Sequence, residues 1–302
     1  MRLVSNIIIL LLFALCLSCN DDFSYDSDSE QRRIVVEGVA DSEEGIKMRL
    51  SASNEIFTDD TSRTYVTKAS IRLYVNTNLV DFMREESPGV YASNIIPKSG
   101  DTVRFVGRQN EYPIIICEDV MPTPISVLLF DTAGRIGNNF DLLLRFVEKT
   151  NETNGYYMSV RSMVYEYEFN TQGDIIDSVR TTVPINLSSA NKLFFSERNL
   201  VSNQNDYNIF NDQLIPGGTY DLSLIVNAKD LDETREQSAS QAILLDFKSL
   251  APSSYETLEG VQLNSRVFGG PFSTTNNVSD NIEGGYGIMQ YSWSFKDTIW
   301  LP

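Results

Sequence analysis

The chain has 302 residues, with 41 acidic against 24 basic side chains, no histidine and a formal net charge of −17. It lacks the clustered Lys and Arg that nucleic acid requires, and without histidine it excludes Ser-His-Asp and Cys-His catalysis and the commonest zinc ligand. Two of its three cysteines fall within the first 19 residues, so no disulfide can form inside the body of the chain.

Residues 7–15 form an unbroken apolar run after a single charge at Arg2. The run is too short to span a bilayer and has the proportions of a signal-peptide core. Leu17-Ser18-Cys19 closes it and resembles a bacterial lipobox, although Cys16 stands where such motifs usually carry Leu. Cleavage before Cys19 removes residues 1–18 as a lipoprotein signal peptide and leaves an acylated cysteine as the membrane hold. An ordinary secretory signal with an incidental cysteine is the alternative. Loss of Arg2 takes the charge from −17 to −18. Anionic head groups repel such a body, so lipid rather than a basic patch has to anchor it.

Residues 19–31 are polar and acidic and read as a tether. Asp21 and Asp22 resemble the surface-export signal of Bacteroidota lipoproteins; a generic acidic linker is the plainer reading. From residue 33 the pattern is that of strands. Runs at 34–39, 46–51, 69–75, 79–83, 90–91, 103–106 and 114–117 are β-branched or alternate apolar and polar residues, with turn residues between them. Pro122 and Pro124 stiffen a junction. Strands are expected again at 125–131, 140–147, 156–170, 174–184, 219–229 and 288–301, with larger loops such as 194–216 between them. Ala251-Pro252-Ser253-Ser254 opens one short helix, read with a serine cap and acids in its first turns. The Gly-rich stretch 269–287 reads as an ordered loop anchored by Phe268, Phe272, Tyr286 and Ile288.

These elements imply a mostly β protein with two antiparallel β-sandwich domains, Ig-like or carboxypeptidase-regulatory-like, and one short helix near the C-terminus. The expected division is an N-terminal sandwich over 32–121 and a C-terminal β-rich domain over 122–302.

Several side chains are candidates for a site. Tyr156, Tyr157, Tyr165 and Tyr167 can offer a stacking surface; ordinary core and cross-strand packing accounts for them equally. Asp101-Thr102, Asp131-Thr132, Asp177-Ser178 and Asp297-Thr298, each followed by an apolar residue, resemble bacterial O-glycosylation acceptors and make Thr102, Thr132, Ser178 and Thr298 candidates. Asp230, Asp232 and Glu233, or Asp280 with Glu283, can supply oxygens to calcium or serve simply as solvated loop charge. Gly284-Gly285-x-Gly287 lacks the Lys-Ser/Thr of a phosphate loop and reads as structural. Cys117, in an apolar run, reads as a buried small hydrophobe. No catalytic residue, cofactor or metal is expected.

Six segments in order carry a family resemblance: Ile34-Val35-Val36-Glu37-Gly38, Ala69-Ser70-Ile71, Pro88-Gly89-Val90-Tyr91, Asn154-Gly155-Tyr156-Tyr157, Phe210-Asn211-Asp212 with Gly217-Gly218-Thr219-Tyr220, and Asn281-Ile282-Glu283-Gly284-Gly285-Tyr286-Gly287. With the lipobox they resemble the Bacteroidota lipoproteins grouped as domain of unknown function 4249; Leu244-Leu245-Asp246-Phe247 follows the family only loosely. The resemblance implies a non-catalytic protein lipid-anchored in the outer membrane and facing the exterior, an accessory or substrate-capturing partner of a TonB-dependent transporter, with its ligand unidentified. A carboxylate-based surface hydrolase and a structural adhesin are the competing expectations.

Overall fold

The computed structural model describes residues 32–54, 63–136, 139–149, 154–185, 187–188, 208–214, 217–227, 242–267 and 279–301. Cys19 and the tether lie outside these residues, as do Asp230, Asp232, Glu233, Phe268 and Phe272. The described residues from 33 to 53 and from 63 to 301 belong to one compact unit.

The first stretch of strands comprises β1 (Ile34–Asp41), β2 (Gly45–Ala52), β3 (Ser70–Val75), β4 (Asn78–Phe82), β5 (Arg84–Ser87), β6 (Val90–Ser93), β7 (Thr102–Arg108) and β8 (Ile115–Val120). The second comprises β9 (Ser126–Ile136), β10 (Asn139–Glu148), β11 (Gly155–Phe169), β12 (Ile175–Pro184), β13 (Leu187–Ser188), β14 (Asn208–Asn211), β15 (Gly218–Asn227), β16 (Ala242–Leu250) and β17 (Tyr286–Trp300). A helix, α1 (Pro252–Val267), precedes β17.

One large sheet runs β12-β11-β16-β17-β1-β2-β6-β5, with β14 also paired to β11. Two four-stranded sheets, β4-β3-β7-β8 and β13-β15-β10-β9, accompany it. The large sheet therefore holds strands from both sides of the Pro122–Pro124 segment. Its central seam is a parallel pair, β1 with β17, in register from Val35–Tyr286 to Asp41–Ser292. The other strand pairs are antiparallel.

Side chains alternate across a strand, and that period builds two apolar cores. Ile34 and Val36 of β1, Met48 and Leu50 of β2 and Tyr91 of β6 pack with Ile71, Leu73, Phe105 and Cys117 of the first small sheet. Tyr156, Met158 and Val160 of β11 and Leu245 and Phe247 of β16 pack with Leu142, Leu144, Phe146, Leu222 and Leu224 of the second. Odd-numbered residues of β17 serve both: Met289 and Tyr291 in the first core, Phe295 and Ile299 in the second. Both small sheets thus cover the same face of the large sheet, giving a mostly β, sandwich-like architecture.

The one short helix expected near the C-terminus is α1, which runs to Val267; its cap, the acids read into its first turns and the loop read ahead of it need correcting. Its first helical bond is accepted by the Ala251 carbonyl from Tyr255, so Ala251 rather than a serine is the cap, and its first turn contains no acid. Pro252 sits at the first helical position, where its missing N–H costs nothing. The described part of the stretch read as a loop to residue 216 contains β14 and a 3-10 turn, Asp212–Leu214.

Candidate functional site

The segments that carry the resemblance meet in pairs. Gly155 pairs with Asn211 and Tyr156 with Phe210. The Tyr156 hydroxyl donates to the buried Glu148 carboxylate, whose other oxygen accepts from Asn154 Nδ2 at 3.0 Å. The Asn154 amide donates to Asp212 at 2.8 Å. Gly155 leaves room for Tyr255 of α1, whose Cβ would stand 2.5 Å from any side chain there. Ala69 donates its N–H to the Tyr91 hydroxyl at 2.9 Å, and that hydroxyl donates to the Val66 carbonyl at 2.9 Å. Glu85 accepts from the amides of Lys68 and Gly89, and these bonds hold its carboxyl below the usual range.

The Asn281–Gly287 segment ties β17 into both neighbours. Asn281 bonds both the N–H and the C=O of Met289, at 2.9 and 2.6 Å. Glu283 exchanges two backbone bonds with Ile116 of β8. A Cβ at Gly285 would stand 2.6 Å from the Ile34 carbonyl, and one at Gly287, where φ is +107°, would overlap the Val36 carbonyl. These glycines allow β17 to run beside β1.

The other face of the large sheet carries the most concentrated charge. Asp41 ends β1 with no exposed surface. It accepts hydroxyl bonds from Ser292 and Ser294 of β17 at 2.5 and 2.7 Å, and amide bonds from Glu43 and Glu44 at 2.9 and 3.2 Å. Lys248 of β16, 5% exposed, places its ammonium 3.5 Å from Asp41, 3.5 Å from Asp246 and 3.7 Å from Glu44. Lys296 closes the group at 2.6 Å from Glu44.

Burial alone would raise the Asp41 carboxyl, but Lys248 and the two serines outweigh it and hold it below the usual range. Burial pulls Lys248 down, but Asp246, Asp41 and Glu44 together raise it. Burial raises Asp246, whose Oδ1 is buried and accepts no hydrogen bond. Lys248 is therefore held as ammonium and Asp41 as carboxylate. Neither is tuned toward base or nucleophile chemistry; together they clamp β1, the β1–β2 turn, β16 and β17. Sequence reasoning missed this group, because Asp41, Lys248 and Ser292 are far apart in the chain and each looks like a surface residue.

On the same face a groove of about 400 Å³ crosses β2, β1 and β17. Its walls include Glu37, Val39, Lys47, Arg49, Val90 and Ile288. Arg63 and Arg49 converge on Glu37 at 3.0 and 3.7 Å, so its charge is largely matched.

The four tyrosines do not form one surface. Tyr156 is buried in the second core among Phe146, Phe210 and Phe247. Tyr157, Tyr165 and Tyr167 lie on the opposite face of β11, half-buried. Tyr157 has the Lys248 ammonium 5.9 Å from its ring centre, and Tyr165 stacks on Tyr167 at 6.4 Å. Of the hydroxyls read as glycan acceptors, Ser178 is exposed, while Thr102, Thr132 and Thr298 are half-buried. Asp280 is exposed, and Glu283 is held through its backbone. Among the described residues, no group of three or more His, Cys, Asp or Glu is arranged to hold a metal, and no helix is long and apolar enough to cross a membrane.

The profile of a domain of unknown function, DUF4249, matches residues 20–296. The chain belongs to the DUF4249 family. No curated protein matches it significantly. A solved structure from Corynebacterium diphtheriae, described provisionally as a membrane-anchored protein, shares 9% identity over 88% of this chain, with a TM-score of 0.19. The alignment spans 59% of that protein's length, and the likeness is too distant to bear on fold or function. In this DUF4249 protein the paired segments hold the sheets together, and the open face of the large sheet is the candidate binding surface.

Proposed function

We propose that this DUF4249 protein is a non-catalytic binding module, lipid-anchored through Cys19 in the outer membrane and facing outward. In this reading it is an accessory or substrate-capturing partner of a TonB-dependent transporter. The observation that carries the proposal is Cys19 itself, at the boundary between an apolar run and an acidic tether. The open sheet face supports it, since the groove at Val39, Val90 and Ile288 offers a partly apolar surface. The ionised Asp41–Lys248 pair on the same sheet face acts as a clamp.

Affinity purification of tagged full-length protein from solubilised outer membranes tests the proposal. The expected result is co-purification of an outer-membrane β-barrel, with Cys19→Ala releasing the protein from the membrane. Recovery of no such barrel under any growth condition would refute the transporter role.

A further inference from the structure

Five aspartates share one local geometry. In each, Oδ1 accepts the backbone N–H of the next residue: Asp81 from Phe82 at 2.8 Å, and Asp119 from Val120, Asp131 from Thr132, Asp177 from Ser178 and Asp297 from Thr298, each at 2.7 Å. Among the described residues, all five lie where a strand has a neighbour on one side only. β4 and β8 are the two edges of their sheet, β9 is an edge of the second small sheet, and β12 is an edge of the large one. β17 continues past Ser292, where its pairing with β1 ends.

Neighbouring bonds show which way four of these N–H groups point, because successive residues of a strand alternate sides. Met83 donates to Ile71 of β3, so Phe82 points away from β3. Ile116 bonds Glu283 on the side away from β7, and Val120, four residues on, points the same way. Ile185 donates to Val160 of β11, so Ser178 points away from β11. The Ser294 amide is met by the Ser42 hydroxyl beyond the end of β1, and Thr298 faces that side too.

We infer that Asp81, Asp119, Asp131, Asp177 and Asp297 are edge caps, which occupy the free N–H groups of the sheet edges and so block pairing with strands of other chains. An unpaired edge is a template for strand addition. Among the described residues, the uncapped edge strand β5 has four residues, and a short edge is itself poorly suited to pairing. The second carboxylate oxygen of Asp81 is held by Ser93 and that of Asp119 by Ser253, which fixes both caps in place.

β12 shows what the cap prevents. Most of its residues are exposed, Ile175, Ile176 and Val179 among them. Antiparallel pairing of two β12 edges centred on Val179 would set Ile175 against Val183 and residue 177 against Thr181. It would also require the Ser178 N–H for the partner's strand, and Asp177 already occupies that N–H. Pro184 falls at another outward position and has no N–H to offer. The device does not depend on what the protein binds.

Two variants of the full-length protein in detergent, Asp177→Thr and Asp177→Asn, separate the cap from the charge, because Asn keeps the acceptor oxygen and loses the charge. Residue-resolved hydrogen exchange and sedimentation velocity are the measurements. Asp177→Thr is expected to speed exchange at Ser178 by tenfold or more and to add concentration-dependent association absent from the wild type. Asp177→Asn is expected to match the wild type in both. An unassociated Asp177→Thr, or an Asp177→Asn that associates equally, overturns the inference. If Asp177→Thr fails to fold, Asp297→Thr and Asp297→Asn on β17 carry the same test, read at Thr298.

Discussion

Replacing Lys248 with Met removes the ammonium that faces Asp41, Asp246 and Glu44 while keeping most of the aliphatic stem. Breaking a buried ion pair by removing one partner costs about 3–5 kcal/mol. Asp41 has no exposed surface but keeps its bonds from Ser292, Ser294 and the amides of Glu43 and Glu44. Those dipoles retain part of its stabilisation, so the expected loss is about 3 kcal/mol at pH 7, a fall in Tm on the order of 10 °C for a domain this large. Asp41 titrates below the usual range in the folded protein. Its contribution is therefore present at neutral pH and lost as pH falls through its folded value. Asp246 titrates above the usual range, so protonating it on acidification favours the folded state. Without Lys248 the Asp41 carboxyl rises as well, and the gap between variant and wild type narrows from pH 7 toward pH 4. Urea unfolding across that range reads both effects. The double variant Asp41→Asn/Lys248→Met should recover most of the loss. A cost below about 1 kcal/mol at pH 7 would refute the clamp, because an exposed ion pair is worth no more than that.

Two further outcomes are expected. Gly287→Ala should cost about 3 kcal/mol or more, combining a positive φ with overlap onto the Val36 carbonyl; a variant that melts within a degree or two of wild type would show that β1 and β17 can separate freely. Burial pushes the Cys117 thiol up to about 12, so at pH 8 only on the order of one molecule in ten thousand carries the thiolate. Alkylation of Cys117 should therefore wait for denaturant, and labelling of the folded protein within minutes would contradict its place in the first core.

The alternation of apolar residues along single strands was legible without a structure. It marked β2, β3, β11 and β15 nearly to their ends, because a period of two is written into each strand's own residues. The resemblance of Leu17-Ser18-Cys19 to a lipobox is equally local. α1 was foreseen as a short helix but not with its cap, since its packing against β17 and β14 comes from distant segments. The tyrosine stretch was ambiguous for a related reason: spacing says that Tyr156 and Tyr157 point apart, but not which face becomes core.

The sequence by itself determined most of the strands, the net negative charge and the absence of histidine chemistry. Only the tertiary structure decided the partners. It set β17 parallel to β1 from the far end of the chain and buried Asp41 against Lys248. It also set five scattered Asp residues, three of them in apparent glycan motifs, on edge segments of the described sheets. The physical reason is that pairing and burial are long-range. An aspartate one residue before a free N–H looks like any other aspartate until the sheet shows which side of its strand has no neighbour.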